Sequence, residues 1–162
     1  MFVYSIRASS VKFFAFILLS LVILFALVLS GNDSAVYASS DGGWIDYSGI
    51  KSEDDRVAFI ERFGIKVERE GREEMSFAMP ENFDRVILGY NELQKKQGLD
   101  ISKYARKKVT RYTYKVTNYD SDGDVYASLF VHRGKIIACD LSSASPDGFV
   151  VPLTLVDRGK LK

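Results

Sequence analysis

Hydrophobic and polar positions follow different rules in different parts of this chain. From Phe13 to Leu29 there are 17 consecutive residues without a charge, and Ser20 is the only polar side chain among them. Extended to Gly31, the run is roughly 28 Å long as a helix, close to a hydrocarbon core of about 30 Å. A helix satisfies its own backbone groups in lipid, so the pattern predicts a transmembrane helix over 13–31 that contacts the bilayer. Arg7 and Lys12 precede it, Asn32 and Asp33 follow it, and the next basic residue is Lys51. The positive-inside rule then makes 1–12 a cytoplasmic tail and puts the rest of the chain outside. The alternative is a secreted protein, cleaved near Ala38, because Val36-Tyr37-Ala38 has the small-x-small form of a peptidase site. The apolar run exceeds the usual signal core of about 7–15 residues, which favours an uncleaved signal anchor. Residues 32–43 are rich in Gly, Ser and Asp and read as a flexible linker. A folded domain is expected over 44–155, with 156–162 as a C-terminal tail.

Within that domain the apolar period is first helical. Ser52 is placed to cap a helix, with Glu53, Asp54 and Asp55 in the first turn, where the helix dipole favours negative charge. Val57, Phe59, Ile60 and Phe63 follow as an inward stripe, and Gly64 closes it. Ile65–Glu68 and Met75–Met79 alternate as short strands, with a charged connector over Glu70–Glu74 between them. A second helix is expected from Pro80, with Phe83, Val86, Ile87, Tyr90 and Leu93 as its stripe and Gly98 at its end. From Val109 the period becomes two. Tyr112, Tyr114 and Val116 alternate with Arg111, Thr113 and Lys115, and Val125–His132 and Lys135–Leu141 are further strands. Arg133-Gly134 fits a two-residue hairpin turn. The expected fold class is α+β: two helices packed on one face of an antiparallel sheet of three to five strands.

Composition changes this picture little, but its distribution changes it more. The net charge of +1 and 47% hydrophobic content suit an ordinary domain. However, Met1–Gly31 alone holds 23 of the hydrophobic residues. One Cys excludes an intramolecular disulfide framework, and one His excludes the usual multi-His metal centres. Between Asp41 and Gln94 there are 7 basic and 13 acidic residues; between Lys95 and Lys115 there are 8 basic and 1 acidic. This basic block includes Lys107, Arg111 and Lys115, interleaved with Tyr104, Tyr112 and Tyr114, and marks a surface for polyanions.

Several stretches resemble a known family. Asp55-Arg56-Val57-Ala58-Phe59-Ile60-Glu61-Arg62-Phe63-Gly64 is the first, and Tyr90-Asn91-Glu92-Leu93-Gln94-Lys95-Lys96-Gln97-Gly98-Leu99-Asp100 the second. Lys108-Val109-Thr110-Arg111-Tyr112-Thr113-Tyr114-Lys115-Val116-Thr117-Asn118-Tyr119 is the third, and Asp147-Gly148-Phe149 completes the set. Together they are similar to domain of unknown function 4830, a family of Gram-positive, mostly clostridial proteins. The resemblance spans roughly Asp46–Phe149. It implies a hydrophobic N-terminal segment before a small domain at the cell envelope, and it brings no catalytic residue, cofactor or substrate with it.

Candidate chemistry is sparse. His132 sits beside a hairpin turn without an evident nucleophile, and no GxSxG, HExxH or phosphate-loop pattern occurs. Asp120-Ser121-Asp122-Gly123-Asp124 resembles the start of a calcium loop, but Val125 and Val131 stand where that loop needs Gly and Glu. Cys139 alternates with Ile137 and Leu141 and reads as a small buried hydrophobe. No catalytic, cofactor or metal residue is assigned. The expected function is a non-enzymatic binding or scaffolding module whose contact face is Tyr104, Lys107, Arg111 and Lys115. Its expected partner is an envelope polyanion or protein rather than nucleic acid. A small hydrolase-like envelope enzyme, and association through an open sheet edge, are the alternatives.

Overall fold

The computed structural model describes Tyr37–Ala38 and residues 44–162 except Pro146, with the side chains of Tyr37, Ala38 and Trp44 left aside. The expected tail 1–12, the span 13–31 and most of the linker lie outside the described residues. No helix among the described residues is long and apolar enough to cross a membrane.

Strands β1 (Tyr37–Ala38) and β2 (Trp44–Ile45) form a short antiparallel pair. Helix α1 (Glu53–Glu61) is followed by β3 (Glu73–Ala78) and α2 (Arg85–Lys95). Then come β4 (Lys108–Lys115), β5 (Val125–His132), β6 (Lys135–Ser143) and β7 (Val150–Pro152). Strands β3 to β7 build one antiparallel sheet in sequence order. The class is therefore α+β, two helices on a five-stranded antiparallel sheet.

Local signals explain the elements. Ser52 accepts a hydrogen bond from the Asp55 amide while the Asp55 carboxylate accepts from the Ser52 amide, a reciprocal capping box that starts α1. Arg133 (φ 48°) and Gly134 (φ 75°) make the β5–β6 turn, and two positive φ values suit the twist of a tight hairpin. Helix α2 begins at Arg85, five residues later than the sequence suggests. Asp84, not the region of Pro80, caps it by accepting from the Ile87 amide at 2.8 Å.

The helices lie on opposite faces of the sheet, which corrects the one-face expectation. Val57, Phe59, Ile60 and Phe63 of α1 pack with Tyr114, Ala127, Leu129, Cys139 and Leu141. Ile87 and Tyr90 of α2 join Phe77, Val109, Phe130, Ile137 and Ala138. Leu129 and Phe130 are adjacent on β5 and so point to opposite faces. The reason is visible in β6: Ile136 to Leu141 are all buried, a continuous run that needs cover on both sides. A register shift between Phe130 and Val131 accommodates the extra residue there.

Two further expectations change. Val86 is 78% exposed, because Ile87, Tyr90, Asn91 and Gln94 form the inward side of α2. Ile65–Glu68 contributes only a single bridge, Val67 to Val116, rather than a strand. Residues 156–162 lie against the domain. Leu161 bridges to Tyr119 and packs on the first core, and the Lys162 amide donates to the Asn118 carbonyl at 2.8 Å. Asn118 also accepts from the Lys66 amide and donates to the Gly64 carbonyl, tying the end of α1 to this corner.

Candidate functional site

Of the residues expected to form one basic face, Arg111 and Lys115 share one side of β4, while Tyr104 and Lys107 precede the strand, and the four do not share one environment. Arg111 is half-buried, lies opposite Phe130 of β5 and interacts electrostatically with Tyr90 and Asp140. Lys115 is exposed at the far end of the strand and pairs with Asp124 at 2.8 Å. Lys107 is exposed at the other end, where its amide closes a turn onto the Tyr104 carbonyl. Tyr104 packs against the second core, and its ring meets His132 edge-on at 5.6 Å. At about 3.3 Å per residue, Lys107 and Lys115 stand roughly 26 Å apart. The arrangement is thus a line with its middle engaged, not a single patch.

Elsewhere in the basic block, Lys95 pairs with Glu92, and Arg106 with Glu81. Lys96, Lys103, Lys107 and Lys108 are exposed and make no ion pair among the described residues. Three of these lie close together in sequence: Lys103 in the short helical segment Ile101–Tyr104, Lys107 in the turn after it, and Lys108 at the first position of β4. The sequence locates this free positive charge but does not reveal which basic residues are paired, because the pairs of Arg106 with Glu81 and Lys115 with Asp124 join different elements.

One buried carboxyl is a group that the sequence does not single out. Asp140 on β6 is only 5% exposed, and burial raises its carboxyl to about 6. The Tyr90 hydroxyl of α2 donates to Asp140 Oδ2 at 2.6 Å, and Ser142 and Arg111 also favour the charged form. Burial and the Asp140 charge push the Tyr90 hydroxyl well above its ordinary range. A carboxyl near 6 lies in the acid–base range. Here Oδ2 accepts from Tyr90 and so links α2 to the sheet.

A second buried polar group lies next to it. β7 pairs with β6 only as far as Asp140–Pro152. Beyond that point, two glutamines from the end of α2 take over. The Cys139 amide donates to Gln94 Oε1 at 3.0 Å, and Gln97 Nε2 donates to the Cys139 carbonyl at 2.6 Å. Gln97 Nε2 also meets Gln94 Oε1, Gln97 Oε1 accepts from the Thr154 amide, and the Gln97 carbonyl accepts from the Tyr47 hydroxyl. The Cys139 thiol is fully buried, and desolvation raises its pKa well above the ordinary thiol value.

The sequence profile of domain of unknown function 4830 matches residues 59–141, just over half of the chain. The chain belongs to this family. The matched segment runs from the last turn of α1 into β6, so it contains all of α2, the Tyr90–Asp140 pair, Gln94, Gln97 and Arg111. No curated protein and no solved structure matches the chain.

Within the 4830 domain His132 is half-buried, and its Nδ1 meets the Lys108 carbonyl at 2.7 Å. Asp120 and Asp124 turn to different lysines, Lys162 at 2.6 Å and Lys115 at 2.8 Å. Among the described residues no group of three or more His, Cys, Asp or Glu converges as a metal site.

Proposed function

We propose that this 4830-family chain is an outward-facing membrane protein whose folded domain is a non-enzymatic binding module for an anionic envelope partner. The apolar run 13–31 and the Arg7/Lys12 flank support an N-in anchor. The contact is narrower than the β4 line suggested by the sequence. It is the lysine-bearing turn around Lys107, with Lys103 in the helical segment before it, Lys108 at the start of β4, and Lys96 nearby in sequence at the end of α2.

One observation carries this reading: these lysines stay exposed and unpaired among the described residues, while Lys95, Arg106 and Lys115 each have a carboxylate partner. Unpaired surface ammonium groups gain by meeting phosphate or carboxylate polymers, in a way that salt screens. Arg111 is a fold residue in this account, because it faces Asp140.

The test is retention of the full-length protein, in detergent, on immobilised phosphate-rich wall polymer and on anionic vesicles in separate arms. Replacing Lys103, Lys107 and Lys108 together by Glu should abolish retention in whichever arm holds the wild type. Equal retention of the triple variant would defeat the proposal.

A further inference from the structure

Strand β3 ends the five-stranded sheet, and among the described residues no strand pairs with its outer side. The Met79 amide donates to the Lys107 carbonyl, and the Met79 carbonyl accepts from the Arg106 amide, both at 2.9 Å, so the main chain of Met79 faces β4. Main-chain direction alternates along a strand, so Phe77 and Met75 also face β4, and Glu74, Ser76 and Ala78 present their N–H and C=O groups outward. Side chains along β3 are exposed except for half-buried Phe77, and Met75 is 54% exposed.

Sheet edges are commonly protected by Lys, Pro or bulges. β3 contains none of the three between Glu73 and Ala78. The opposite edge, β7, is three residues long and ends in Pro152. Among the described residues, only β3 offers a sheet edge of useful length for pairing.

We propose that β3 is the interface of a two-fold symmetric homodimer, in which β3 pairs antiparallel with β3 of a second copy, centred on Ser76, to join two sheets into one. The outward set Glu74, Ser76 and Ala78 admits this register: Glu74 opposes Ala78, and Ser76 opposes Ser76. Each opposed pair then exchanges both of its main-chain hydrogen bonds. The flanking pairs are Met75 with Phe77, and Glu73 with Met79. Met75 and Phe77 lie on the same sheet face, so the exposed thioether gains an aromatic partner. No glutamate opposes a glutamate, so the acidic start of β3 does not repel its copy. Pro80 falls on the outward parity without an N–H and ends the pairing after Ala78. The isologous geometry closes on itself and does not propagate into a fibre.

The experiment uses the full-length chain in density-matched detergent. Sedimentation should give twice the chain mass, concentration-dependently, and Met75→Lys should return the monomer. Register-specific crosslinking supplies a second reading that does not depend on how the charged edge variant folds. Ser76→Cys should form an intermolecular disulfide under mild oxidation, Glu74→Cys alone should not, and a mixture of Glu74→Cys with Ala78→Cys should. Cys139 is fully buried and adds no background. A wild type that stays monomeric, a dimer insensitive to Met75→Lys, or Ser76→Cys crosslinking no better than Glu74→Cys would each overturn the proposal.

Discussion

The Tyr90 hydroxyl of α2 donates a hydrogen bond to Asp140 Oδ2 of β6 at 2.6 Å, and this bond joins the second helix to the sheet. The carboxyl is buried, so it carries a desolvation cost that its partners only partly offset. Its pKa in the folded protein, about 6, lies above the ordinary 3.8. The folded state therefore holds a proton that the unfolded state releases between these values. The groups facing the carboxyl are Tyr90 from α2, Arg111 from β4 and Ser142 on its own strand.

Stability should consequently fall as pH rises from about 4 to about 6, by roughly 2–3 kcal/mol from this group alone. Asp140→Asn removes the titration, so the difference between wild type and variant isolates the effect. Urea unfolding of both proteins at pH 4 and pH 7 measures it. A difference that does not change with pH would contradict the assignment.

Gln97 is the member of the clasp with most partners. Gln97→Ala leaves the Cys139 carbonyl and the Thr154 amide without their side-chain partner. Each buried group left unpaired costs about 1–3 kcal/mol. A loss of about 3 kcal/mol in the denaturant midpoint free energy is expected. A loss below about 1 kcal/mol would mean that water replaces the amide.

Arg56 is only 7% exposed and lies with its guanidinium carbon 3.8 Å from the centre of the Tyr112 ring, while its Nε donates to the Tyr114 hydroxyl at 2.9 Å. A lysine has neither the planar group nor the fixed donor. Arg56→Lys should cost about 1–2 kcal/mol despite keeping the charge. Thermal unfolding at neutral pH reads the change directly, and an unaltered midpoint would sink the prediction.

Cys139 should be inert to thiol reagents in the native protein, because burial both shields the sulfur and disfavours the thiolate. Its labelling rate should track the fraction unfolded as denaturant is added. Fast labelling at zero denaturant would show that the clasp opens on its own.

Much of this architecture is legible in the residues. The Ser52 cap, the stripe Val57–Phe63 and the Arg133-Gly134 turn are local signals, and the structure uses them locally. Tyr112 and Lys107 are legible only as an alternating basic and aromatic strand. The second face was missed because a run such as Ile136–Leu141 satisfies alternation and continuous burial equally well. Asp140, Gln94 and Gln97 were missed for a different reason. Polar residues gain meaning from partners about 40 to 50 positions away, and no periodicity encodes such pairs. The basic block differs in degree: Lys95 pairs locally with Glu92, whereas the pairs of Arg106 with Glu81 and Lys115 with Asp124 depend on how separate elements fall together.

The proposed contact through the lysine-bearing turn is tested most directly by the salt dependence of binding. Retention of the full-length protein on the phosphate-rich polymer should be strong at low ionic strength and fall steeply as salt is raised. The variant with Lys103, Lys107 and Lys108 changed to Glu should show no retention at any salt. Absence of binding by the wild type at low salt, or binding that neither salt nor the triple substitution weakens, would contradict the account.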